Sequence, residues 1–499
     1  MESETPPVAA EELGEIAEPE RAFNKPNSLA LQMSRKDFPP GLVGDVAWHI
    51  YIGSPLPVYE YALGAAFAVF AGIFGRCYNV LGLGLNLYIL IIGETGTGKT
   101  STVSLIQKLV SAIQKDVHSV TDFFTGDFAS AEGMHQKLAD QYSIVCLYGE
   151  IGHFFKQLLD LRAPSHILAQ ARFLLNVYSQ SGRHGVVRPR SYSDQGKSKP
   201  LVKRPALSMC GDGIGHKLFQ AMNADTFDDG TGPRFTYFEN KAPIGNFNSN
   251  FQDADFIPLA KQLAPLVSQA LSLNSRDEIC EVRLSQEAAE QFASVEIEAK
   301  GLAGKGSEFS KQMWTRWREN SLKLAAIIAI GIDPWNPIID GNTARNCIDL
   351  VRGQINNVIS KFASGEIGSP DENETLREKC VVDEIAAYCR SEYDLKKYVG
   401  TTRAMHEYRV ISERFLQQRF ASKACFKRAR IGATAALKKT LENMCRNGLL
   451  KNCPPHTSEK MFHKATQSYQ VFDSKAFGLE PTNAFEGMFD DASLKPDAI

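Results

Sequence analysis

The sequence predicts an α/β fold in three parts: a core built on a strand, a glycine loop and a helix; a helical subdomain; and a basic C-terminal unit in winged-helix order. Three observations carry this. The apolar run Leu85–Ile92 leads into a glycine loop at 93–100. An amphipathic stretch, Ser101–Lys115, follows, with apolar residues at 103, 105, 106, 109, 110 and 113. Past residue 375, charge and pattern change together. Residues 376–470 carry 19 Lys and Arg against 9 Asp and Glu, a net of +10, in a chain whose formal charge is −2.

Residues 1–38 read as an acidic, mobile leader, with seven acids and one base before residue 22 and no apolar run. Residues 39–245 alternate apolar and amphipathic runs, as an α/β core does. Within them, Tyr61–Ile92 is the most apolar stretch. Arg76, Asn79 and Asn86 interrupt it, so it reads as a buried helix and then a strand, short of the ~20 residues of a membrane span. Residues 246–359 read as the helical subdomain and 360–375 as a linker rich in Gly, Ser, Pro and acids. In the basic unit, 376–472, helices are expected at Glu378–Arg390, Ser412–Lys427 and Thr434–Arg446. A two-stranded wing is expected from Leu449-Leu450, a turn at Pro454-Pro455, and Gln467–Phe472. Residues 473–499 read as an acidic tail.

With 499 residues and 43% apolar content the chain can bury a large core; a collagen, a coiled-coil rod and a wholly disordered chain are excluded. A net charge near zero excludes a uniformly basic nucleic-acid coat. The ten cysteines include no CxxC pair and read as reduced thiols of a cytoplasmic protein, with no zinc site.

The loop Gly93-Glu94-Thr95-Gly96-Thr97-Gly98-Lys99-Thr100, with Ser101 opening the helix, fits GxxxxGK[ST]. Glycines let backbone N–H groups turn onto the phosphates of ATP, and the helix N-terminus adds its dipole. Lys99 neutralises developing charge and the Thr100 hydroxyl ligates Mg²⁺. A second strand, Tyr142–Tyr148, ends at Gly149-Glu150. Glu150 is the candidate to polarise the attacking water, and it is also a candidate Mg²⁺ ligand. The usual acid before it is replaced by Gly149, which leaves water contacts, Glu150 itself, Asp122 or Asp127 to hold the ion. Glu150 as a cap of the next helix is the plainer alternative.

These segments in order resemble the YfjI-like prophage- and plasmid-associated P-loop ATPases, relatives of AAA+ proteins and superfamily-3 helicases. Beside the glycine loop, the resemblance rests on Phe38–Gly44, Phe128–Gly133, the strand ending GEIGHFF, Pro205–Gly213, Asp229–Phe235 and Trp317–Ala325. It implies an AAA+-like core that assembles into a ring, expected to be a hexamer. Asp212, after an apolar strand, would sense the γ-phosphate. Arg234, presented by a turn, would reach a neighbouring subunit's γ-phosphate; a surface salt bridge is its plainer alternative. Arg316 or Arg318 would touch the nucleotide of the same chain; a solvated helix face with Trp317 in the core is the plainer alternative for each. Residues 183–204 hold seven bases and one acid. They read as a hairpin whose Arg183, Arg188, Arg190, Lys197, Lys199, Lys203 and Arg204 would grip DNA, single-stranded in preference to double-stranded. Lys438 and Lys439 on the third helix of the basic unit would add salt-sensitive phosphate contacts. The resulting expectation is an ATP-hydrolysing DNA translocase or helicase-like motor of phage or mobile-element replication. A nucleotide-dependent DNA-binding switch that hydrolyses slowly and moves nothing is the alternative.

Overall fold

The computed structural model describes residues 31–158, 163–189, 199–222, 230–241, 245–305, 308–363, 367, 374–394, 396–427 and 432–480. At its centre is a five-stranded, wholly parallel sheet. Its strands, in chain order, are β1 (Tyr88–Ile92), β2 (Phe124–Thr125), β3 (Ser143–Tyr148), β4 (Ala206–Gly213) and β5 (Phe235–Glu239). Their spatial order is β2-β3-β4-β1-β5. All eight residues of β4 and all five of β1 are buried, as continuous apolar runs in a sheet covered on both faces should be.

The helix Tyr59–Phe74 packs on four of the five strands. Every residue from Tyr61 to Phe74 is buried, so the apolar stretch is a core helix as expected. Gly72 meets Val145 so closely that a Cβ would lie 2.6 Å from its Cγ1. The helix Ser165–Ser179 covers the other face, where the Tyr88 hydroxyl donates to the Leu174 carbonyl at 2.8 Å. The lead-in helix Gly41–Ile52 starts after Pro39-Pro40. Gly41 has φ +71, and a Cβ there would sit 2.4 Å from the Gly331 carbonyl oxygen, so this crossing with the helix Trp317–Ile332 requires glycine.

Residues 246–359 are mainly helical, but they do not form a separate body. One apolar cluster runs from Phe38 to Ile367. The strand Tyr78–Val80 pairs in parallel with Cys280–Leu284, which pairs with Ile338–Ile339. The basic unit has its own core, from Val381 to Phe477. Its three strands, Val410–Ser412, Ser468–Val471 and Leu450–Cys453, form an antiparallel sheet in that spatial order. Two expectations are corrected here. The expected second helix is two, Glu413–Phe420 and Ala424–Lys427, and Pro454-Pro455 opens the helix Pro455–Phe462, where a turn was expected. A proline at the first helical position gives up an N–H that has no partner there anyway.

The boundaries also move. Residues 31–38 dock on the core: Gln32 N–H donates to the Tyr51 hydroxyl, and Arg35 pairs with Asp45 at 2.6 Å. The helix Gly341–Ala363 enters the expected linker. Residues 473–480 pack back, with Phe477 buried in the second core. No helix among the described residues is long and apolar enough to cross a membrane.

Candidate nucleotide-binding site

From the C-terminal end of β1 the chain passes to β2 at one edge. From the end of β4, β1's neighbour, it passes to β5 on the far side of β1. This reversal opens a crevice at the carboxyl ends of β1 and β4, the place where open parallel sheets take ligands. The loop 93–100 lies there and runs into the 14-residue helix Ser101–Gln114, whose free N–H groups and dipole favour an anion.

Local geometry explains the glycines. Gly96 and Gly98 have φ of +80 and +81. A Cβ on Gly93 would lie 1.6 Å from the Tyr61 hydroxyl, and one on Gly98 would lie 2.8 Å from Leu56 Cβ; one on Gly96 meets nothing within 4 Å. The loop is thus clamped at 93 and 98 and open at 96. The Tyr61 and Thr97 hydroxyls are 3.0 Å apart, and Thr97 Oγ1 donates to the Glu94 carbonyl at 2.8 Å. Ser101 Oγ donates to the Gly98 carbonyl and stands 3.1 Å from Ser54 Oγ. Lys99 is buried, and its ammonium donates to the Glu94 carbonyl at 3.2 Å. Glu94, Thr95 and Thr100 are exposed.

The structure brings Asp212 and Glu150 to this end of the sheet. Asp212, the seventh residue of β4, is 2% exposed. Its Oδ1 accepts the Glu150 N–H at 3.2 Å, while Oδ2 has no hydrogen-bond partner. Burial raises its pKa; the Glu150 N–H and the Lys99 charge pull the other way. Glu150 is exposed and carries φ +49, a strained backbone for a residue other than glycine, held by the bond to Asp212. Asp122 precedes β2 and lies at the opposite end of the sheet, whereas Asp127 follows β2, three strands from β1.

Arg234 stands elsewhere. It precedes Phe235, which pairs with Tyr88 at the start of β1, so it lies about 16 Å of strand from its own loop. Its guanidinium donates to the Gly230 carbonyl at 2.6 Å and to Ser179 Oγ at 3.1 Å. Burial and the nearby Arg316 charge lower its pKa from the ordinary guanidinium value. Arg316 is bonded to Glu319, which also pairs with the buried Lys323 at 3.0 Å. Arg318 faces Glu296 at 3.7 Å. The expectation that Arg316 or Arg318 reaches the same chain's nucleotide is therefore corrected: Arg316 sits with Arg234 at the opposite sheet end, and Arg318 faces the helix Gln286–Lys305.

The expected basic hairpin is present as Val186-Val187 paired with Val202-Lys203. Arg188 and Lys203 are exposed and Lys199 half-buried; Arg190 and Lys197 lie outside the described residues. Two members have acidic partners within the chain. Arg204 is buried, bonds the Asp277 carbonyl at 2.7 Å and pairs with the Asp277 carboxylate, which Arg76 shares. Arg183 pairs with Glu281 at 2.9 Å. Arg204 is thus fastened inside the protein, whereas the Arg183 pair lies at the surface. In the C-terminal unit, Lys438 and Lys439 are exposed on the helix Ala433–Arg446, opposite its buried Leu437, Leu441 and Met444.

Sequence reasoning missed Tyr61, Ser54 and Leu56, which shape the loop from a segment 32 or more residues upstream of Gly93. No local signal marks them; only the fold brings them there. No protein-family model and no curated protein matches the chain.

Proposed function

We propose that the chain is a P-loop ATPase with an AAA+-like core, a C-terminal winged helix, and a ring-forming, DNA-translocating or helicase-like action in phage or mobile-element replication. One observation carries the reading: a GxxxxGKT loop, with a buried lysine, joins a central parallel strand to a helix N-terminus at the sheet's reversal point. The strand order supports it, because Glu150 follows the end of β3 by two residues and Asp212 is the last residue but one of β4, at the same end of the sheet as the loop.

In this reading the N–H groups of 96–101 bind the phosphates, Lys99 neutralises them, and Thr100 is a ligand for Mg²⁺. Bound Mg²⁺ would supply charge neutralisation between the β- and γ-phosphates. Glu150 orients and polarises the attacking water. Arg234 is remote from its own loop, so it would serve a neighbouring subunit's nucleotide, which favours a ring. The exposed Arg188 and Lys203, with Lys199, support contact with single-stranded DNA, as Lys438 and Lys439 do on the second unit.

One observation favours the slower switch: Gly149 offers no carboxylate. The test is ATP binding and turnover, with and without single-stranded DNA. Lys99→Ala should abolish tight ATP binding, and unchanged affinity would sink the loop assignment. Many-fold stimulation by DNA supports the motor; turnover indifferent to DNA supports the switch.

A further inference from the structure

Resting on that reading, we propose that Asp212 supplies the magnesium-orienting carboxylate that position 149 lacks. Tyr148 on β3 pairs with Gly211 on β4, so the next position along sets Gly149 beside Asp212. Two bonds hold this junction: Glu150 N–H to Asp212 Oδ1 at 3.2 Å, and Ile151 N–H to the Asp212 carbonyl at 2.8 Å. Paired residues of parallel strands point to the same face. A carboxylate at 212 therefore leaves the sheet on the side where one at 149 would have left it, one strand nearer β1. Ile91, two residues before the glycine loop, pairs with Asp212 from the other side.

The state of the side chain points the same way. Asp212 is 2% exposed, and its Oδ2 has no partner within the protein. A buried carboxylate oxygen is costly to leave unmet, and such a group calls for a ligand or bound water. Lys99 and Glu150 are the charges that act on it. Mg²⁺ is bound through one or two carboxylates together with substrate phosphates and water, so a single acid in addition to the Thr100 hydroxyl suffices. Glu150 is then left for the water. The alternative acids are worse placed: Asp122 is at the wrong end of the sheet and Asp127 is three strands away. Position 149 shows the other half of the exchange. A Cβ there meets nothing within 4 Å, and Gly149 does not adopt positive φ, so the space for a carboxylate on β3 is open.

The experiment measures metal coupling without turnover. The affinity of a non-hydrolysable ATP analogue is measured in Mg²⁺ and in EDTA, and Mn²⁺ in the nucleotide complex is followed by electron paramagnetic resonance. Asp212→Asn keeps the Oδ1 acceptor for the Glu150 N–H and removes the charge. It should lose roughly 10–100-fold of the Mg²⁺-dependent gain in affinity, weaken the Mn²⁺ signal, and leave EDTA affinity no lower. Adding Gly149→Asp to that variant should restore the gain. Loss with rescue supports the assignment. An Asp212→Asn variant coupled to Mg²⁺ as strongly as wild type overturns it, and so does loss without rescue in a folded double variant, because Asp212 would then serve only to hold the Glu150 turn. Failure of the wild-type chain to bind nucleotide in a Lys99-dependent way is a different result: it overturns the P-loop reading and this assignment with it.

Discussion

Replacing Glu319 with Gln should uncover how much of the fold depends on one acid among three cations. Glu319 bonds Arg316 and pairs with Lys323 at 3.0 Å, and Arg234 lies close enough to feel both Arg316 and Glu319. Burial alone would raise the Glu319 pKa; the Lys323 and Arg316 charges overcome that and pull it from 4.5 to about 2. A drop of ~2.5 units is worth about 3 kcal/mol, because each unit is ~1.4 kcal/mol of differential interaction. A depressed folded-state pKa contributes stability above the unfolded value, near 4.5, and loses it as pH falls toward 2. Glu319→Gln should therefore lower stability by about 3 kcal/mol at neutral pH, and the deficit should shrink as pH falls from about 5 to 3. Lys323 keeps its bond to Asn86 Oδ1 at 3.0 Å and the Tyr178 ring at 4.0 Å, so the chain should still fold. The assay is urea unfolding of both chains across that pH range. A deficit independent of pH, or none at all, would refute the electrostatic account.

Four further outcomes are expected. Gly98→Ala should destabilise the nucleotide-free protein more than Gly96→Ala. Both must hold a positive φ, at roughly 1–2 kcal/mol each, but only position 98 meets Leu56; equal losses in denaturant melts would argue against the clamp. Mixing Lys99→Ala with Arg234→Ala chains should recover some ATPase activity at mixed interfaces; none, with subunit exchange verified, would return Arg234 to a structural role. Neutralising Lys199 and Lys203 should remove DNA stimulation and leave basal hydrolysis. If stimulation persists, the hairpin does not hold the DNA. Neutralising Lys438 and Lys439 should flatten the slope of log affinity against log salt by about 0.7–0.9 for each phosphate left without its cation; an unchanged slope would mean that this helix face does not touch DNA.

The loop was legible because its chemistry is local. Eight consecutive residues carry the proposed phosphate site, and the apolar run before it and the 3.6-residue period after it read as a strand and a helix. Asp212 and Glu150 were legible for a similar reason, since each ends an apolar run. What could not be read depends on partners far away in sequence. Arg204 has the same local signature as Lys203, yet it is buried against Asp277, 73 residues on, while its neighbour stays in solvent. Arg316 looked poised for a ligand, but its partner is one helical turn away and its company is set by where β5 begins. Three-residue strands such as Val410–Ser412 are too short for alternation to show. Pro454-Pro455 has equal claims as a turn and as a helix start, and only packing of Phe462 decides between them.

The parallel sheet itself constrains how such a site can work. β1 and β5 are paired over all five residues, from Tyr88 with Phe235 to Ile92 with Glu239. No bending of that pairing brings Arg234 to the loop that follows Ile92. If Arg234 acts on a nucleotide, it acts on one held by another copy, and a cis role would require the sheet to come apart. β4 connects the ends differently. The basic hairpin enters it at Ala206, and the carboxylate beside the loop leaves it at Asp212. All eight residues of the strand are buried, and it is bonded to strands on both sides. A strand so fixed moves as a unit or not at all. If DNA binds at the hairpin as proposed, it can alter the Asp212–Glu150 junction only by shifting β4 against β1 and β3, or by reorienting one subunit of the proposed ring against the next so that Arg234 approaches or withdraws. The burial of β4 makes the first route costly. The second leaves the sheet intact, and under the proposed function it would tie DNA-stimulated turnover to the presence of a neighbouring subunit.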